Sequence, residues 1–252
     1  MAGVSRLHAV IDVPEEQHAV ASAFWGRVFG WPAGAPWPGH PELCTFEPPS
    51  GTAYLHQQRI DGPARVHLDV EADDGAATVA HAVGLGAEPV AAYDDWTTLR
   101  TPGGLPFCVL RSDRAATTPP PLAHPAGHRT RMVQVCVDSP AAAHDREVEF
   151  WRSLLDGRFV PSQRPEFAGK WHDDGSPVQL LFQRLDEPEG QVRAHLDHGT
   201  DDLDAEVSRL LALGATDVGR GSGGWHVLRD PAGALFCATR NSPEATAHRD
   251  LG

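Results

Sequence analysis

Apolar and polar positions alternate at the start of the chain. Leu7, Ala9, Ile11 and Val13 share one face, and His8, Val10 and Asp12 share the other. A period of two predicts a β-strand. Pro14 then opens a helix, with Glu15 and Glu16 set against its positive amino-terminal end. Ala21, Phe24, Trp25 and Val28 recur at helical spacing and give one apolar stripe, which Gly30 ends. Residues 31–49 are rich in Pro and Gly and read as a long loop with one short strand at 43–46; residues 52–58 read as another strand. Alternation restarts at Arg65, with Val66, Leu68 and Val70 opposite His67 and Asp69. A helix follows Asp73-Asp74 and ends at Gly86. Strands are expected near 88–91, 97–100 and 105–111, the last two joined by a turn at Thr101-Pro102-Gly103-Gly104.

This pattern then repeats. His8, Asp12, Pro14, His18 and Phe24-Trp25 find counterparts in Gln134, Asp138, Pro140, His144 and Phe150-Trp151. His67, Gly86, Trp96 and Cys108 find theirs in His195, Gly214, Trp225 and Cys237 at a nearly constant offset. A recurrence at fixed spacing marks duplicated architecture. The chain therefore divides into a first domain at 1–111, a Pro/Ala-rich linker at 112–129, a second domain at 130–241 and a polar tail at 242–252. In the second half, Val133, Val135 and Val137 form a strand face. Residues 158–175 repeat the loop, and Asp202 caps a helix with buried Leu203, Val207, Leu210 and Leu211 that Gly214 ends.

Composition narrows the function. At 252 residues, 41% hydrophobic and 22% charged, the chain reads as an ordinary soluble globular protein. No apolar run approaches the ~20 residues of a membrane span, and no signal peptide pattern is visible, so the expected setting is the cytoplasm, with no membrane partner. A net charge of −13 without a basic cluster argues against nucleic acid. Cys108 and Cys237 sit at matching places inside apolar strands, which points to buried thiols in a reducing compartment. The glycine-rich stretch at 219–224 precedes a strand rather than a helix, so it reads as a turn, not a phosphate cradle.

His-Leu-Asp, Asp-Asp, Leu-Gly-Ala, Trp and Asp230-Pro231-Ala232-Gly233 ending in Phe236-Cys237 resemble the vicinal oxygen chelate superfamily (glyoxalase, bleomycin-resistance and extradiol dioxygenase proteins), and its glyoxalase-like subgroup most. The resemblance implies an α+β fold. Two tandem glyoxalase-like domains would each pair two βαβββ units into a cupped mixed sheet with helices outside. It implies metal ligands on the first and last strands of the units: His8, His56, His67 and Cys108 in the first half, and Gln134, His195 and Cys237 in the second, with Phe182 or Gln183 at the fourth place. Relatives carry Glu where this chain has Cys108 and Cys237. Two imidazoles with a thiolate would instead suit a soft zinc site.

Three readings follow. The first is an enzyme for a small carbonyl or oxygenated metabolite in the first-half cup. His8 and His67 would be catalytic, with or without one divalent metal (Zn, Fe, Mn or Ni), for lyase, isomerase or dioxygenase chemistry. Trp37, Trp96, Trp171, Trp225, Gln134 and His195 are the candidate ligand contacts. The second is a metal-free protein that sequesters an aromatic or drug-like compound. The third makes the second half a scaffold or dimer partner, and the chain a monomer or homodimer. For each site histidine the competing role is a hydrogen-bonded structural residue; for each cysteine, core packing.

Overall fold

The computed structural model describes residues 4–112 and 115–244. It contains two mixed sheets of the same topology. The first runs in the order β2 (Ala33–Trp37), β3 (His40–Phe46), β4 (Leu55–Ile60), β1 (Val4–Pro14), β5 (Arg65–Ala72), β8 (Pro106–Arg111), β7 (Trp96–Arg100) and β6 (Glu88–Ala92). The second runs β11 (Arg158–Pro161), β12 (Phe167–His172), β13 (Gln179–Arg184), β10 (Arg129–Ser139), β14 (Arg193–Thr200), β17 (Leu235–Thr239), β16 (His226–Arg229) and β15 (Thr216–Arg220). A short strand β9 (Leu122–Ala123), inside the stretch read as a linker, pairs with β10. The central pairs β1–β5 and β10–β14 are antiparallel and join the two units of each half. This is the duplication that the repeat implied, in the α+β fold that the resemblance implied.

Among the described residues four α-helices complete the fold: α1 (His18–Phe29), α2 (Gly75–Gly84), α3 (His144–Leu154) and α4 (Leu203–Leu213). Asp74 and Asp202 cap α2 and α4, accepting from the amides of Ala77 and Ala205 at 3.0 and 3.1 Å. Gly30 ends α1 at φ 69°, a left-handed conformation that glycine adopts without a Cβ clash. Among the described residues no helix is long and apolar enough to cross a membrane.

The two regions read as long loops are instead edge hairpins, β2–β3 and β11–β12. Pro and Gly are tolerated there because edge strands leave amides unpaired. Trp37 and Trp171 accordingly lie on strands, not on loops.

Each half's first helix packs against the other half's sheet. Trp25 on α1 lies edge-on to Phe236 of β17 at 5.0 Å, and Phe107 of β8 meets Trp151 of α3 at 5.4 Å. Buried side chains of both halves thus form one continuous core. Polar atoms in this crossing are matched in two ways. The Trp25 indole donates to Asp230 at 2.9 Å, at the turn after β16. The equivalent turn has Thr101 instead, and Glu147 of α3 supplies the carboxylate, accepting from the Trp151 indole at 2.9 Å and the Gly103 amide at 3.1 Å.

Candidate functional site

Strand alternation sends every second residue of β10 and β14 to the concave side of the second sheet. Gln134, Cys136 and Asp138 point there from β10, and Arg193, His195 and Asp197 from β14, on the wall of a cavity of about 580 Å³. Cys237 from β17, Leu181 from β13, Lys170 and Phe167 from β12, and Trp225 ahead of β16 complete the wall that matters here. The volume suits a small organic ligand.

At its floor, His195 is held between two acids and a thiol. Its Nδ1 lies 2.7 Å from Asp138 Oδ2, and its Nε2 lies 3.3 Å from Asp197 Oδ1 and 3.5 Å from Cys237 Sγ. Gln134 donates to the other Asp197 oxygen and accepts from Asn241 at 3.4 Å. Burial works against charge on His195, but Asp138, with Cys136 and Asp197 behind it, outweighs that and raises its pKa well above the usual imidazole value. Burial likewise pushes the Cys237 thiol up, with the His195 hydrogen bond opposing.

The first half carries the same four residues. His67 Nδ1 lies 2.9 Å from Asp12, its Nε2 lies 3.5 Å from Asp69, and Cys108 completes the group. Here the hollow is filled. His8 and His56 stack and share a hydrogen bond of 3.0 Å, and His8 Nε2 meets Glu71 at 2.9 Å. Trp37 lies edge-on to His56 at 5.5 Å and donates to Thr45, Trp96 meets Trp37 at 6.3 Å, and Tyr93 stacks on Trp96. Burial, with His8 beside it, pushes His56 down to about 3. Both nitrogens of His8, His56 and His67 are thus engaged within the protein.

The structure splits the four first-half ligand candidates between two groups, His8–His56–Asp69 and His67–Asp69–Cys108. His195, Gln134 and Trp225 line the second-half cavity, whereas Trp37 and Trp96 plug the first half. Trp171 is 2% exposed, lies in the core and donates to the Asp156 carbonyl, away from the cavity. The place equivalent to His56 is Leu181, since His56 pairs with Val10 and Leu181 with Cys136; the adjacent Phe182 faces the core. All four cysteines are free and buried, as the apolar settings of Cys108 and Cys237 implied for those two.

Asp138 and Lys170 were not among the sequence candidates. Asp12 and Asp138 did recur at matching positions, but their role needs the register of β1 on β5 and β10 on β14, which sets each acid diagonally across from its histidine. Lys170 gave no periodic signal, because β12 lies in the stretch read as a loop.

The donor set fits a divalent cation. His195 Nε2, Asp197 and Cys237 offer nitrogen, oxygen and sulfur atoms within 4.8 Å of one another, a mixture suited to zinc. Asp138 accepts from Nδ1, the usual outer partner of a ligating histidine, so a metal that displaces the Nε2 proton would be bound there. Elsewhere His124, His128 and Glu206 also cluster, but Arg209 already forks onto Glu206 at 2.7 Å to each oxygen.

A family model for a glyoxalase-like domain matches residues 8–110 and 134–239. Among solved structures, the Mn(II)-bound glyoxalase from Novosphingobium aromaticivorans superposes with a TM-score of 0.66 at 17% identity, over 94% of this chain and 82% of that one. A mutant 4-hydroxymandelate synthase from Streptomyces coelicolor gives 0.61 at 16%, over 93% and 92%. The 2,2',3-trihydroxybiphenyl 1,2-dioxygenase from Sphingomonas wittichii strain RW1 gives 0.59 at 12%, over 94% and 90%. At these identities the likeness is one of fold. No curated protein matches the sequence.

Proposed function

Because the chain belongs to the glyoxalase-like domain family of the vicinal oxygen chelate superfamily, we propose that its second half is an enzyme active site for a small carbonyl or oxygenated molecule. His195, Asp197 and Cys237 hold one divalent cation, zinc by the softness of the set, and the cavity of about 580 Å³ holds the substrate. One observation carries the reading. His195 is fixed by Asp138 at Nδ1 and presents Nε2 to a carboxylate and a thiol at the base of a ligand-sized cavity.

The cation, when bound, polarises a substrate oxygen, chemistry of the lyase or isomerase type. This chain's own residues do the rest. Asp138 fixes the His195 tautomer, and Gln134 orients Asp197. Phe167, Trp225, Leu181 and Val227 wall the ligand's apolar part off from water. The first half, its own copy sealed by aromatic rings, serves as scaffold: its Trp25 and Phe24 pack against Phe236 beside Cys237.

Metal analysis of the purified protein, beside His195→Ala, Asp197→Asn and Cys237→Ser, tests this. About one equivalent of metal, lost in all three variants and retained in His8→Ala, supports it. Arg164 stacked over Trp225 at 5.4 Å, with Phe167 edge-on to the same ring, favours a second reading, metal-free sequestration of a flat compound. No metal uptake together with tight binding of a flat apolar ligand would establish that reading instead.

A further inference from the structure

Lys170 is the one lysine among the chain's 21 Lys and Arg residues. Every other cationic position is arginine, on the surface and in the ion pairs alike. The exception lies in the cavity wall, on β12 beside Leu181. A lysine presents a compact point charge on a flexible four-carbon stem, whereas an arginine presents a planar fork.

The cations around it are not equivalent. Arg193 is forked onto Glu187 at 2.6 and 2.8 Å, Arg164 pairs with Glu166 at 3.7 Å, and Arg240 is exposed to solvent. The Lys170 ammonium, unlike its sheet-paired backbone, has no hydrogen bond or ion pair among the described residues. Asp197 and Cys136 are the titratable groups that act on it, and Asp197 is already engaged by Gln134 and His195. Burial pulls the Lys170 pKa below its ordinary value, with Asp197 opposing. A cation held in a cavity without a direct ion-pair partner costs free energy, and a ligand anion offsets that cost. In the first half the equivalent residue is Thr45, which pairs with His56 as Lys170 pairs with Leu181. There the hydroxyl is saturated by Trp37 and His56. The open copy thus places a cation where the filled copy has a hydroxyl.

We propose that Lys170 anchors the acid group of the ligand, so that the cavity selects a small organic anion with a flat apolar body over its neutral analogue. The body lies along Trp225, ahead of β16, and Phe167, three residues before the anchor on β12. This rests on the cavity being the ligand site, but not on the metal.

The test is calorimetric binding of a matched panel, benzoate and 2-naphthoate against benzamide and 2-naphthamide, to protein kept metal-free with a chelator. The acids bind at least about tenfold more tightly than the amides, as expected for a charge-assisted hydrogen bond. Lys170→Met removes that preference while keeping amide affinity, and Lys170→Arg keeps part of it. The preference persists in His195→Ala, so failure of the metal reading and failure of the anchor are separable. Equal affinity for acids and amides, binding of neither, or a preference that survives Lys170→Met overturns the proposal.

Discussion

Replacing Asp138 by Asn isolates what the acid does for His195. The change keeps size and shape but removes the charge 2.7 Å from Nδ1, and its amide can turn a donor toward the ring. Asp138 is 8% exposed, and among the described residues its other oxygen accepts a hydrogen bond from the Cys136 thiol alone, at 3.6 Å, so solvent and neighbours do little to replace it. Loss of such an outer partner weakens metal affinity by about 10- to 100-fold, or about 1.4–2.8 kcal/mol at 1.4 kcal/mol per decade. The short distance and burial place the effect in the upper part of that range. Competition titration against a zinc-binding dye measures it, with thermal melting to confirm the fold. Asp12→Asn, the same change in the sealed half, leaves the affinity of the cavity site unaltered. Unchanged zinc affinity in Asp138→Asn, or an equal loss in Asp12→Asn, would refute the assignment of the open copy as the metal site.

Two predictions concern the join between the halves. The Tyr54 hydroxyl, fully buried and donating to the Met132 carbonyl at 2.7 Å, is pushed up from 10.0 to about 12 by burial. The unfolded chain ionises this tyrosine first, so its contribution is complete below pH 10 and lost as pH rises from 10 to 12. That is about 2–3 kcal/mol, read as a slope in denaturant midpoint that Tyr54→Phe flattens. A Cβ at Gly103 would run into Val192 Cγ2 and Glu147 Oε2 from the opposite half. Gly103→Ala therefore destabilises by about 1–3 kcal/mol in chemical denaturation, whereas Gly104→Ala meets no atom within 4 Å and is penalised only by its φ of 91°.

Much of the fold was legible because its central strands alternate cleanly. Leu7, Ala9, Ile11 and Val13 all lie at 1% exposure or less, and the duplicated His-Leu-Asp strands occupy equivalent places. The edge hairpins were not legible: β2 is half-exposed, carries Gly34 and Pro36, and shows no period of two. The amphipathic stripe of α1 told that Phe24 and Trp25 are buried, but not that the surface burying them belongs partly to the other half. For the site, the residue types were visible and the openness was not. His67 and His195 look alike in sequence. What separates them is that His56, Trp37 and Trp96 fill one hollow, while Leu181, Gly223 and Gly224 leave room in the other. That difference depends on cross-strand register and side-chain volume together, which a linear pattern does not encode.

Cobalt titration of the metal-free protein tests the central claim most directly, because a thiolate bound to cobalt gives a charge-transfer band in the near ultraviolet. The account predicts a band that saturates near one equivalent, disappears in Cys237→Ser and persists in Cys108→Ser. A band that survives Cys237→Ser, or none at all in the unsubstituted protein, would contradict it.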